Sequence, residues 1–241
     1  MDDRAGERLM RAGTLTWLAL RELWMSYRFL GLLAVGLASG IVASLTRPLA
    51  ADLVRWLAWG LAAAACLGAA VAGWVVADER RRGRMAWLAV RSVPRSATLF
   101  AWFGALALPL LVGAAGSGLV AWLANGIAQS DGVDPVAYGL LVTAAAAVLL
   151  EALAAGVLAG SLASPLPAAA SGLVAGALLV GVGLLGTGEP PLDPTAGIGL
   201  LASLPSLARP VSDALVSTGI GLAGVAFLLA GAAAVISRRD L

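Results

Sequence analysis

Six long apolar runs dominate this chain. A bilayer-crossing helix needs about 20 mostly apolar residues, because it rises ~1.5 Å per residue through a hydrocarbon core ~30 Å thick. The runs that approach this length are Phe29–Thr46, Leu53–Ala77, Ala97–Ala124, Val136–Ala163, Leu166–Gly186 and Ala214–Ile236. Only Ser164 and Pro165 separate the fourth from the fifth. Together those two are about twice as long as one crossing needs, and Pro165 and Pro167 supply a break between them. The charge is also too sparse for a soluble surface. It is 12% of the 241 residues, with 60% hydrophobic, where a soluble domain carries about 25% and 45–50%. The expected fold is an all-α membrane protein with six transmembrane helices, in two parts. Residues 1–28 precede the spans and residues 29–241 hold them.

The charge that remains is sorted. All sixteen basic residues are Arg. Five precede the first run: Arg4, Arg8, Arg11, Arg21 and Arg28. Six follow the second: Arg80, Arg81, Arg82, Arg84, Arg91 and Arg95. Arg238 and Arg239 follow the sixth. With six crossings these thirteen share one side, and Arg47, Arg55 and Arg209 are left on the other. The positive-inside rule then puts both termini in the cytoplasm of a cell (inner or plasma) membrane protein.

Missing residue types exclude chemistries. The chain has no His and one Cys, Cys66. Ser-His dyads, His-ligated haem, HExxH zinc sites and Cys-rich metal sites therefore lack their ligands or bases. With no Lys there is no Walker A loop. No cofactor, metal or catalytic site is expected in this chain, and no nucleic-acid partner.

The segments outside the runs are informative. In Glu7–Arg28, Arg8, Arg11, Arg21 and Arg28 alternate with Leu9, Met10, Leu15, Trp17, Leu18, Leu20, Trp24 and Met25. Helical spacing largely separates the two sets. Trp with Arg suits the headgroup boundary, so an interfacial helix is expected rather than a cleaved signal. A flanking anchor without a partner is the alternative. After the second run comes Asp78-Glu79-Arg80-Arg81-Arg82-Gly83-Arg84, then Met85-Ala86-Trp87-Leu88, then Val93-Pro94-Arg95. Apolar Met85, Trp87 and Leu88 in a water-facing loop need cover, by headgroups or by a docked protein. Thr195–Ala208 is apolar, Pro-flanked and too short to cross. It reads as a re-entrant or interfacial helix, well placed on the outer side as a gate, or else as a partly buried loop.

Glu151 is the one acidic residue deep within a run. An ionisable group there costs a few kcal/mol on insertion scales, so it faces protein or water. Two readings stand: it lines a substrate path, or it is a structural hydrogen-bonding group. Asp52 and Arg55, three apart at the start of the second run, read as a structural pair.

With these features in order, the chain resembles the permease subunits of ABC-2-type (type-2 exporter-like) ABC transporters. Four features carry the resemblance. They are the amphipathic start, the loop after the second run, the short apolar helix Gly199-Leu200-Leu201-Ala202-Ser203-Leu204-Pro205, and the ending Arg238-Arg239-Asp240-Leu241. In the loop, Glu79 and Gly83 match the opening of the family's pattern, Leu88 its Leu-rich turn, and Val93-Pro94-Arg95 its close. The pattern's Thr, Glu and first Pro are replaced by Arg84, Ala86 and Ser92.

The resemblance implies a dimer, with a second copy or a homologue. Two cytoplasmic ABC ATPase subunits would hold ATP and Mg. Glu79, Gly83, Met85, Trp87, Leu88, Arg91, Val93, Pro94 and Arg95 would form the coupling helix seated on an ATPase. Leu200, Leu201, Leu204 and Pro205 would belong to the outer gate. The expected function is export of a hydrophobic or amphipathic substrate, with membrane lipids as neighbours. The alternative is a membrane scaffold or assembly factor, ABC-coupled or standing alone.

Overall fold

The computed structural model describes residues 3–45, 50–83, 95–128, 135–185 and 210–238. Its elements are α1 (Asp3–Met25), α2 (Arg28–Leu45), α3 (Ala50–Arg81), α4 (Arg95–Ala128), α5 (Pro135–Leu162), α6 (Pro165–Leu185) and α7 (Pro210–Arg238). The six apolar runs fall on α2 to α7. Pro is the first residue of α5, α6 and α7. Its missing N–H is harmless there, because first-turn N–H groups have no intrahelical partner. Pro165 and Pro167 thus open α6, and α5 and α6 are separate helices. Pro109 lies inside α4, where it cannot donate to the Ala105 carbonyl one turn earlier.

Among the described residues four helices are long and apolar enough to cross a membrane: Trp59–Arg81, Ser96–Leu123, Ala145–Leu162 and Thr218–Arg238. A fifth crossing counts only if α1 and α2 are taken together, and they are bent by 82°. In α6 the described apolar stretch is the shorter Pro165–Val180. Six crossings were expected; four to five are supported among the described residues. The full α2 and α6 have 18 and 21 residues, lengths within the range of a spanning helix. Large apolar side chains such as Trp59, Phe100, Leu119, Leu178 and Phe227 point outward around the bundle. A water-soluble monomer rarely exposes so much apolar surface. This is a multi-span α-helical membrane protein.

α3 is the central helix and packs on α2, α4, α5 and α6; α7 lies on α5, and α1 on α4 and α2. In lipid no hydrophobic force draws helices together, so close packing of small residues has to do it. At Ala69, Gly156 of α5 and Gly172 of α6 both come against the α3 backbone. On the other side Gly36 and Gly40 of α2 meet Gly113 and Ser117 of α4. There the buried Ser117 hydroxyl donates to the Gly36 carbonyl and accepts from the Gly40 N–H at 3.2 Å.

The core has two stacked parts. One gathers Leu57, Leu61, Ala121, Ala145, Val148 and Leu149. The other gathers Leu23, Val75, Val76, Leu99, Trp102, Leu153 and Ile236. The second part lies at the end of the bundle where α3 and α7 finish and α4 begins. It also takes in Ala19 and Leu23 of α1, which fixes α1 at that end.

Candidate functional site

The charged end of α3 is built from its own last turns. Asp78 and Glu79 are buried. Acidic groups near a helix C-terminus face the negative end of the macrodipole, so they need cationic neighbours. For Asp78 these are one turn away. Arg81 Nη2 lies 3.0 Å from its Oδ1 and Arg82 Nε 2.8 Å from its Oδ2. Both arginines are exposed, so water screens the pairs and each contributes about 0–1 kcal/mol.

Arg80 points the other way. Its Nη1 donates to the Gly160 carbonyl of α5 at 2.7 Å. That carbonyl lies in the last turn of α5, where no later amide of the helix reaches it. The bond therefore ties the end of α3 to the end of α5. Gly83 closes α3 with φ at 71°, while Arg82 N–H donates to Asp78 O and Gly83 N–H to Arg80 O. The left-handed conformation needed here is the one glycine adopts without steric cost.

Of the residues expected to form a coupling helix, Glu79 is buried in the final turn of α3, Gly83 is its cap, and Arg95 begins α4. Met85, Trp87, Leu88, Arg91, Val93 and Pro94 lie outside the described residues, as do Leu200, Leu201, Leu204 and Pro205. Arg47 and Arg209 are also outside them, and Asp52 and Arg55 lie in the first two turns of α3.

Glu151 is buried on α5, facing α7. It stands eleven residues before Leu162, roughly 17 Å from the Arg-rich end, close to half of a hydrocarbon core. Its neighbours in sequence divide between the two core parts: Leu149 and Ala152 belong to one, Leu153 and Ala154 to the other. Gly224 of α7 makes the space for its carboxyl, since a Cβ there would run into Oε1. Chemically this is a site for one proton or one small cationic group between two helices.

Two described cavities, each about 400 Å³, lie elsewhere. One is between α4 and α5, lined by Leu119, Trp122 and Val142 among others. The second lies along α1. Glu151 lines neither within one chain.

Sequence reasoning missed three features. Asp78 had a readable signal, its spacing of three and four from Arg81 and Arg82. Gly224 and Ser117 had none, being among many small residues in apolar runs. Among the described residues no cluster of His, Cys, Asp and Glu is arranged to hold a metal ion. No protein-family model matches the chain, and no curated protein matches it significantly.

Proposed function

We propose that this chain is the permease subunit of an ATP-driven transporter of the ABC-2 type, exporting a hydrophobic or amphipathic substrate by alternating access. The supporting observation is the gathering of basic charge at one end of the bundle. Arg80 and Arg81 end α3, Arg82 follows in the turn, Arg238 ends α7, and α1 packs at that same end. By the positive-inside rule this end is cytoplasmic. The segment 84–94 departs from it, the place where a coupling helix would meet a motor.

On this reading the chain crosses six times, counting α2 and α6, and both termini are cytoplasmic. It pairs with a second copy or homologue. Two ATPase subunits bind ATP and Mg and dock at Met85–Pro94. Residues 195–208 belong to the outer gate. Glu151 is the one carboxyl group placed to meet a substrate cation. Substrate walls drawn from such a chain are almost wholly apolar, which favours a lipid-like or amphipathic cargo over a sugar.

The test is co-purification of the tagged chain with an ATPase that carries a Walker A motif, followed by ATP hydrolysis in lipid. Leu88→Glu is expected to release the ATPase while the permease remains folded. Glu151→Gln is expected to change substrate-stimulated hydrolysis and leave the complex assembled. Normal complex formation by Leu88→Glu moves the docking site elsewhere. A functional protein that works without any ATPase refutes the reading.

A further inference from the structure

We infer that the outward face of α1 is a binding site for an anionic phospholipid, with Arg21 on the phosphate and the apolar groove beside it on an acyl chain. This rests on the membrane-protein fold alone and not on a coupled ATPase.

α1 carries two distinct stripes. Thr16, Ala19 and Leu23 face the bundle: Thr16 lies against Gly104 of α4, and Ala19 and Leu23 are buried in the core. Beside them Trp17, Leu20, Arg21 and Trp24 follow the i, i+3, i+4, i+7 spacing of a single helical face. This second stripe lines a groove of about 410 Å³, closed by Phe29 of α2 and Leu108 of α4. The size is within the range of small-molecule sites.

The elbow shapes the groove. Tyr27 adopts φ of 58°, a conformation that is strained for a residue with a side chain. The turn lets α2 leave at 82° and brings Phe29 back to Trp24, with ring centroids 5.2 Å apart.

Three observations select the occupant. Every described lining residue except Arg21 is apolar or aromatic, which suits a hydrocarbon chain. Arg21 is exposed and makes no ion pair with any described residue. A guanidinium matches a phosphate with two parallel donors, and the ligand must therefore carry negative charge. The depth also fits. α4 has 34 residues and is about 51 Å long, so roughly 10 Å extends past the hydrocarbon at each end if it is centred. Gly104 and Leu108 stand nine and thirteen residues from its start, hence about 4–10 Å inside the boundary. The first part of an acyl chain occupies that interval, the long Arg21 side chain can snorkel outward to the headgroup phosphate just beyond it, and interfacial helices sit at about that depth.

The experiment uses the full chain in nanodiscs, with phosphatidylglycerol or phosphatidylcholine brominated on the acyl chain at equal mole fraction. Tryptophan quenching is read, and the share from Trp17 and Trp24 is taken by difference from the double Trp→Phe variant. One basic residue near a surface favours an anionic lipid about fivefold. Quenching of this pair is expected at correspondingly lower brominated phosphatidylglycerol than phosphatidylcholine. Arg21→Gln should erase the difference with thermal unfolding unchanged, and Arg21→Lys should keep most of it. Equal quenching by the two lipids in the wild type overturns the proposal, as does a preference that survives Arg21→Gln. Displacement of the brominated anionic lipid by inorganic phosphate at constant ionic strength identifies a free-phosphate site instead and also overturns it.

Discussion

Replacing Gly224 with Ala tests how Glu151 is held. A Cβ at this position would lie 3.0 Å from Cδ and 3.5 Å from Cγ of Glu151, and nearer still to Oε1. Comfortable carbon–carbon contacts are about 3.5–4.0 Å, so the carboxyl must turn away from α7. It is buried, so turning disturbs its neighbours even though only the flexible end of the side chain has to move. Overfilling of this kind costs about 1–3 kcal/mol. Against that, Ala is favoured over Gly in a helix by about 1 kcal/mol. The single substitution is therefore expected to destabilise by about 0–2 kcal/mol. In a Glu151→Ala background the obstacle is gone and only the propensity gain remains. There the same change is expected to be neutral, or stabilising by up to about 1 kcal/mol. The coupling between the two sites is then about 1–3 kcal/mol. The assay is SDS-induced unfolding of the four proteins in mixed micelles, followed by circular dichroism. A Gly224→Ala effect equal in both backgrounds within about 0.5 kcal/mol refutes the contact, and with it the placement of Glu151 between α5 and α7.

The seam between α2 and α4 should be less forgiving. A Cβ at Gly40 would stand 2.5 Å from the Ser117 Cα, and a backbone atom cannot swing aside, so Gly40→Ala is expected to exceed the cost of Gly224→Ala in the same unfolding assay. Ser117→Ala removes only the hydroxyl that bridges Gly36 and Gly40, and should cost about 0.6–1.7 kcal/mol; a cost above that of Gly40→Ala would reverse the ranking of packing over hydrogen bonding. Gly83→Ala meets no atom within 4 Å, so its expected cost of about 1 kcal/mol comes from the positive φ alone. It should appear as faster amide exchange at residues 82–83, and unchanged exchange there would mean the turn accommodates Ala without strain.

The helices were legible because their signals are local. Each apolar run became a helix with ends within a few residues of the expected ones. The Pro residues that open α5, α6 and α7 and the Arg–Trp pattern of α1 could be read one turn at a time. Helix partners were not legible. In water an apolar stripe marks the face that turns inward, but in a bilayer the lipid-facing side is apolar as well. Nothing in the runs distinguishes Ser117, Gly156 or Gly224 from small residues that face lipid. The contacts they make link positions far apart in the chain, such as Ser117 with Gly36 and Arg80 with Gly160. Glu151 stood out by charge, yet its partner helix did not, because the group that admits it is the absence of a side chain at Gly224. The coupling residues divide in the same way. Glu79 and Gly83 end a described helix, whereas Met85 to Pro94 and Leu200 to Pro205 lie outside the described residues.

α5, which carries Glu151, makes two kinds of helix contact, and they are built differently. α3, α5 and α6 touch through backbone at Ala69, with Gly156 and Gly172 admitting no side chain between them. Arg80 adds a bond from α3 to the end of α5. Separating these three helices would open voids along that backbone contact, which costs the dispersion contacts of a close-packed interface. α7 is held otherwise. It rests on α5, with a smaller contact on α4, and only 28% of its spanning window is buried, against 56–67% for the other three. Leu222 and Phe227 on its outer side face away from the bundle. The helix that covers Glu151 is thus the most weakly embedded of the four. A displacement of α7 would open the carboxyl to its surroundings and leave the α3–α5–α6 seam in place, at the cost of an α5–α7 contact as extensive as that between α3 and α5. Gly224→Ala, by pushing on that same contact, should therefore raise the reactivity of Glu151 toward a hydrophobic carbodiimide while leaving Arg80 and the α3 end undisturbed. Equal labelling of the variant and the wild type would mean that α7 is held by more than the contacts it makes in one chain.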